Sequence, residues 1–193
     1  GGAVDLAVHS MKDLPTELPA GFAIAAVLPR GDVRDAFISA NGESLAALPS
    51  GAVVGSSSLR RHAQVKRLRP DLEVIDFRGN VETRLIKLEQ GEADATLLAL
   101  AGLERLGLVD HVTSILSTEE ILPAVGQGAI GIACRSEDVS TYELLQALND
   151  DLHGQPGLLA VARSDDDRLL PAAHRLRRLR ARGPARRAGG HQL

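Results

Sequence analysis

Aromatic residues are nearly absent: they make up 2% of the 193 residues, with no Trp, one Tyr and three Phe. A core must therefore be built from Leu, Val, Ile and Ala, within a hydrophobic content of 44%, which argues for layered α/β structure and against an aromatic-rich β-sandwich. Cysteine is equally scarce. Cys134 is the single one, which excludes an internal disulfide framework and a multi-cysteine metal site, so no metal is expected. No apolar run approaches the roughly 20 residues that span a bilayer, and no charged, apolar and small-residue series resembles a signal peptide. A cytoplasmic protein without membrane contact is expected. An initiating Met is also missing, because the chain opens with Gly1-Gly2 and enters a strand-like pattern almost at once; this reads as a fragment without its natural start.

What is present is patterned. Val4, Leu6 and Val8 alternate with Asp5 and Ala7, a period-two signal for a strand ending near His9. The run "FAIAAVL" at 22–28 is apolar throughout, as in a strand buried on both faces. Residues 51–70, "GAVVGSSSLRRHAQVKRLRP", read as a short strand, a Gly-Ser turn and a helix stopped by Pro70. "LEVIDF" (72–77) is a strand. "RGNVETRLIKLEQG" supplies a loop and a helix with Val81, Leu85 and Leu88 on one face and Gly91 as its stop. "DATLLALAG" and "AIGIACR" (129–135) are further apolar strands, and Ser140 with Glu143 forms a capping box ahead of "YELLQALN". Strands alternating with helices imply mostly parallel sheets with helices on their faces.

Charge divides the chain. Residues 1–150 carry 13 Lys and Arg against 21 Asp and Glu, whereas residues 151–193 carry 9 against 4. The last stretch, "HRLRRLRARGPARRAGGHQL", uses Arg without Lys and has no sustained apolar face. It reads as a basic nucleic-acid-binding tail, a disordered extension or a frameshifted translation of GC-rich DNA. The frameshift is favoured, because no aromatics are present for base stacking and no binding module is recognisable, so no nucleic-acid partner is expected.

Several stretches could carry chemistry. In "GSSSLRR" (55–61), a Ser-rich turn between strand and helix exposes N–H groups and hydroxyls at a helix N-terminus, and Arg60 and Arg61 add cations; the ensemble suits a carboxylate or phosphate, or is an ordinary N-cap with a solvated face. Arg78 at a strand end and Arg84 in the first turns of the next helix repeat the idea, at the carboxyl ends of strands where ligands of open α/β sheets bind. In "VHSMKDLP" (8–15), Lys12 could bind an anion and Asp13 could stabilise a developing cation, although the bare dipeptide also fits a solvated turn. His9 reads as a strand-end histidine and Cys134 as core. "PAVGQGAIG" (123–131) lacks the order of a phosphate loop or a dinucleotide fingerprint and reads as a hinge-like crossing with Gln127 near the ligand.

Together "HSMKDLP", "DVRDAFIS", "VGSSSLRR", "LRPDLEVIDFRGNVETRL", "LLALAGLERLGL" and "LPAVGQGAIGIACR" resemble the hydroxymethylbilane synthase (porphobilinogen deaminase) family, in order and nearly continuously from about residue 3 to 150. The resemblance implies a deaminating transferase of tetrapyrrole biosynthesis that joins four porphobilinogen units head to tail, releasing ammonia, on a covalently held dipyrromethane cofactor. It implies that Asp13 is the catalytic carboxylate, contacting pyrrole N–H groups and stabilising a positively charged azafulvene-like intermediate. It also implies that Lys12, Ser58, Arg60, Arg61, Arg78, Arg84 and Arg105 bind the acetate and propionate groups of cofactor and growing chain, in a monomer whose partners are porphobilinogen and oligopyrrole intermediates. The fold implied is a pair of domains like type II periplasmic binding proteins with the active site in the cleft between them. Here residues 1–28 and 122–150 would form a partial first domain, 29–121 the second, and 151–193 an Arg-rich tail.

The pattern also departs from the family. Its N-terminal segment and its third domain with the cofactor-bearing cysteine are not matched, and Cys134 falls in a strand of the first domain. No residue of this chain is therefore assigned the covalent attachment, and a chain inactive as written is expected. The alternative is a non-catalytic periplasmic-binding-like module for a small carboxylate anion.

Overall fold

The computed structural model describes residues 3–150, and the expected tail at 151–193 lies outside the described residues. In chain order the strands and helices are β1 (Leu6–Ser10), β2 (Phe22–Val27), β3 (Asp35–Ser39), β4 (Val53–Gly55), α1 (Leu59–Leu68), β5 (Glu73–Ile75), α2 (Val81–Glu89), β6 (Ala95–Ala99), α3 (Leu100–Leu106), β7 (Ser114–Leu116), β8 (Ile130–Arg135) and α4 (Val139–Leu145). They fall into two compact units. Among the described residues, one contains 3–9, Asp13–Pro29 and 130–150; the other contains Ser10–Lys12 and Arg30–Ala129. Residues 122–129, grouped with the first domain in the sequence reading, pack with the second unit.

The first unit is built on a three-stranded sheet in the order β1-β8-β2, with β2 and β8 antiparallel from Phe22↔Arg135 to Val27↔Gly131. Its buried side chains are small: Ala25, Ala26, Ile132 and Cys134 pack with Tyr142 and Leu145 of α4. That helix is capped by Asp138, whose carboxylate accepts from the Thr141 N–H at 3.0 Å. The expected cap, Ser140, instead donates its hydroxyl to Asp138, because a carboxylate two residues earlier is the stronger acceptor for the free helix N–H groups.

The second unit holds a five-stranded sheet in the order β5-β4-β6-β3-β7. The α/β class is as expected, but the pairing is mixed. Strand β4 runs parallel to β5 and β6, whereas β3 runs antiparallel to β6 and β7. Helices cross between the parallel strands, and β3 enters from the other direction. Consecutive residues of the central strands serve opposite faces, as the strand period requires: Phe37 and Leu97 pack with Val54, Val65 and Leu72 on one side, Ile38 and Leu98 with Leu85, Leu88 and Leu103 on the other. Each such Leu or Phe contributes about 1.5–3 kcal/mol when taken fully out of water.

Local chemistry sets the helix ends. Asn80 caps α2 by accepting from the Thr83 N–H at 2.8 Å, and Gly91 follows that helix at φ +77, the left-handed conformation of a stop. The stretch read as one strand, "DATLLALAG", is a strand ending at Ala99 and a helix beginning at Leu100. Both halves are buried and apolar, and no side chain caps α3, so no polar residue marks the change.

Candidate functional site

Strands β4 and β5 are parallel neighbours, so the turns that follow them emerge at the same edge of the sheet. After β4 comes Ser56-Ser57-Ser58. The Ser56 N–H donates to the Ile75 carbonyl at 2.9 Å, tying the turn to β5. Ser58 caps α1, its hydroxyl accepting from the Arg61 N–H at 3.5 Å, and Ser57 is exposed. After β5 come Asp76, Phe77 and Arg78. Phe77 is buried and folds over the end of β4, where a Cβ on Gly55 would stand 2.5 Å from the ring; only glycine lets the two turns pack this closely.

Two arginines meet this edge from the α2 side. Arg78 is exposed and donates through Nε to Asp76 at 2.7 Å; that carboxylate raises its pKa above the ordinary guanidinium value. Arg84, half-buried in the first turns of α2, donates to the Ser57 hydroxyl at 3.4 Å, and its Nε is buried with no acceptor. Burial pushes its pKa below the ordinary value and the Arg61 charge adds to that, while Asp76 opposes.

The cations after β4 stand differently. Asp35 opens β3 fully buried and takes bonds from three side chains. Arg61 donates to it through Nη2 at 2.7 Å and Nε at 3.1 Å, Arg60 through Nη2 at 2.7 Å, and Gln127 through Nε2 at 2.8 Å. Burial would raise the Asp35 carboxyl, but the guanidiniums of Arg61 and Arg60 outweigh it and hold the group below its ordinary value. The third donor set of Arg61 goes to the Leu97 carbonyl at 3.0 Å. Grouped with the ligand-binding cations in the sequence reading, Arg61 is buried and spends its hydrogen bonds inside the protein. Arg60 also donates to the Leu122 carbonyl. Gln127, expected near the ligand, is fully buried and bonds the Val33 carbonyl at 2.6 Å.

Beside Gln127 the chain crosses itself through glycines. Gly128 takes φ +85, and a Cβ there would stand 2.5 Å from the Gly31 carbonyl oxygen. Gly31 N–H donates to the Gly128 carbonyl at 3.0 Å, and Arg105 donates to that same carbonyl at 2.7 Å. Arg30 donates to the Gln127 carbonyl at 3.0 Å.

The second unit thus brings Ser58, Arg60, Arg61, Arg78, Arg84, Arg105 and Gln127 onto one body. Lys12, half-buried, belongs to it by its place in the short turn Met11–Asp13. Asp13 belongs to the first unit; it is exposed, and among the described residues its carboxylate makes no hydrogen bond or ion pair. Cys134 is buried in β8 and burial pushes its thiol pKa up, the opposite of what a nucleophilic cysteine needs. Sequence reasoning passed over Asp35 and Asp76, and took Ser57 only as part of the Ser-rich turn. The one local signal for Asp35 is its place at the head of the apolar run "DAFIS", which does not by itself reveal burial or name the distant cations that make burial possible.

The chain matches the family model "Porphobilinogen deaminase, dipyromethane cofactor binding domain" over residues 1–143. It is 58% identical over 150 residues to a chloroplastic porphobilinogen deaminase of Oryza sativa, a match covering 78% of this chain and 42% of that protein. It is 61% identical over 149 residues to a porphobilinogen deaminase of Nitrobacter hamburgensis, covering 77% of this chain and 47% of that protein, and 56% identical over 147 residues to one of Paracoccus denitrificans, covering 76% and 47%. The chain therefore spans a little under half the length of these curated relatives. Among solved structures, a nutrient binding protein from Burkholderia cenocepacia bound to methionine is similar at a TM-score of 0.45 and 14% identity, over 72% of this chain and 65% of that chain. With the matched residues running through both units and every candidate site residue, the chain belongs to the porphobilinogen deaminase family.

Proposed function

We propose that the chain carries the pyrrole-binding part of a hydroxymethylbilane synthase, the activity that condenses four porphobilinogen molecules head to tail with loss of ammonia. Arg84 is the observation that carries this reading. Its Nε sits inside the protein with no acceptor, beside the Ser57 hydroxyl and the N-terminus of α1. A half-buried cation whose Nε is shut off from water, and which forms no ion pair among the described residues, is suited to an anion brought by a ligand. Each pyrrole of porphobilinogen bears an acetate and a propionate, so a bound pyrrole chain presents a row of carboxylates, and a row of guanidiniums matches them in geometry as well as charge.

Arg78 and Arg84, with Ser57, Ser58 and Lys12, hold those carboxylates in this proposal. Arg105, which spends one terminal nitrogen on the Gly128 carbonyl, retains other donors for the same purpose. Asp13 supplies the negative charge that stabilises positive charge developing as ammonia departs. Its exposed carboxylate has no competing side-chain partner among the described residues, which supports that role. Dipyrromethane, when bound, supplies the primer ring that receives the first substrate, and the same cations fit its carboxylates. Cys134 does not fit its covalent attachment. A cytoplasmic monomer belongs to the same reading.

Equilibrium dialysis with porphobilinogen tests the proposal. Saturable binding is expected, and Arg84→Met weakens it by about tenfold or more, the loss of one charge-assisted contact of about 1.4 kcal/mol. Asp13→Asn keeps the affinity and removes whatever ammonia release the chain supports. Wild-type chain that shows no saturable binding, or Arg84→Met that binds unchanged, refutes the assignment. Saturable binding with no ammonia release points instead to a non-catalytic carboxylate-binding module, and ammonia release that persists in Asp13→Asn overturns the role given to Asp13.

A further inference from the structure

Among the described residues, three side-chain polar atoms are buried without a partner: Arg60 Nε, Arg84 Nε and Gln127 Oε1. All three belong to the candidate site or to the network beneath it. Natural proteins leave few such atoms, and concentrating them here sacrifices stability at one place. The arrangement around Asp35 accounts for two of the three. Gln127 points its amide N–H groups at the Val33 carbonyl and Asp35, which fixes its orientation and leaves the oxygen orphaned. Arg60 is held between Asp35 and the Leu122 carbonyl, which fixes its fork and leaves Nε orphaned.

The two arginines that Asp35 binds are not equivalent. The Arg61 side chain is 5% exposed, whereas the Arg60 side chain is 23% exposed. One carboxylate thus neutralises an internal guanidinium while gripping the inner end of an outer one. Without Asp35 the Arg61 charge would stand uncompensated behind Arg84, which already feels it.

We propose that Asp35 is a positioning residue: from beneath the sheet edge it cancels the charge of Arg61 and fixes the Arg60 guanidinium, so that Arg60 presents a preset edge to a carboxylate ligand. The inference rests on the carboxylate-binding reading above and adds to it a division of labour. Arg60 meets the ligand, Arg61 braces Asp35, and Asp35 with Gln127 sets the geometry. Position matters here as well as charge, since a contact preset in the free protein avoids the ordering cost at binding.

Asp35→Glu separates the two, because it keeps the buried charge and displaces it by one methylene. Guanidiniums held at both ends give separate Nη signals in 15N NMR, and loosely held ones average. In the full chain, Arg60 and Arg61 are expected to give separate signals. Asp35→Glu is expected to fold, to average those of Arg60, and to bind porphobilinogen about tenfold more weakly, a loss comparable with one charge-assisted contact. In an Arg60→Lys background the same change is expected to cost nothing further, since Asp35 acts through Arg60. Folded Asp35→Glu with wild-type affinity, or losses that add in the double variant, overturns the proposal. Should Asp35→Glu not fold, Arg60→Lys alone decides: it is expected to leave Arg61 separate and lose about tenfold in affinity, and unchanged affinity overturns the inference. If wild-type chain fails to bind porphobilinogen, the functional reading falls, and the Nη signals judge positioning by themselves: averaging in Asp35→Glu supports it, and persistent separation overturns it.

Discussion

Two pairs of arginines flank one sheet edge, and they live in different electrostatic worlds. Arg60 and Arg61, after β4, share a fully buried carboxylate and carry backbone carbonyls besides. Arg78 and Arg84, around the start of α2, have an exposed carboxylate and a serine hydroxyl between them. The first pair belongs to the framework as much as to the site; the second, held only by an exposed carboxylate and a hydroxyl, is the more available. A cation's sequence position shows that it is near a ligand edge, but only its counter-charge shows whether it is free to bind.

Removing the carboxylate from each pair breaks the comparison most sharply. Asp35→Ala leaves Arg61 buried and unpaired and is expected to cost about 3–5 kcal/mol in urea unfolding. Asp76→Ala is expected to leave the urea midpoint unchanged, because exposed ion pairs contribute little, and to tighten porphobilinogen binding by freeing Arg78. Equal destabilisation by the two would erase the distinction. Where the two turns touch, Gly55→Ala drives a methyl into the Phe77 ring and is expected to cost about 1–3 kcal/mol, the range for overpacking, seen as a lower thermal midpoint.

Acid separates the pairs more gently. The folded pKa of Asp35 lies below its unfolded value, so its contribution is fully present above about pH 4 and is lost as pH falls through the folded value. Asp71, held at about 2 by its hydrogen bonds from Arg69, responds in the same direction. Unfolding free energy is expected to be flat from neutrality to about pH 4.5 and to fall below it, with Asp35→Asn removing at most about 1.4 kcal/mol per pH unit from that slope. The smallest expected effect is on the open pair. Arg78→Ala should leave the unfolding curve unchanged at every pH while weakening ligand binding, and a shifted curve would assign it to the framework.

Much of this was legible in the order of residues. The Ser-rich turn before α1, the Asn-capped α2 and its glycine stop follow from short-range chemistry, and Arg78 and Arg84 follow from their place after a strand. The Asp35 network was not legible, because its partners stand 25, 26 and 92 residues away, and only the closed sheet brings them together. Strand β3 was not read as a strand at all, and its antiparallel entry against β6 was hidden as well, because an apolar strand reads the same in either direction. The change from β6 to α3 was hidden because both are buried and no polar cap divides them.

The crossing of Gly31 and Gly128 is made of peptide groups in contact, with a donated N–H at 3.0 Å and no room for a side chain. Neutral backbone contacts respond little to ionic strength, while exposed guanidinium–carboxylate contacts are screened over about 10 Å at 0.1 M salt. Rising salt should therefore loosen the hold on a polyanionic ligand long before it loosens the frame that presents the arginines. A brine-washed chain would release its cargo with its scaffold intact and be ready to be recharged by dilution alone.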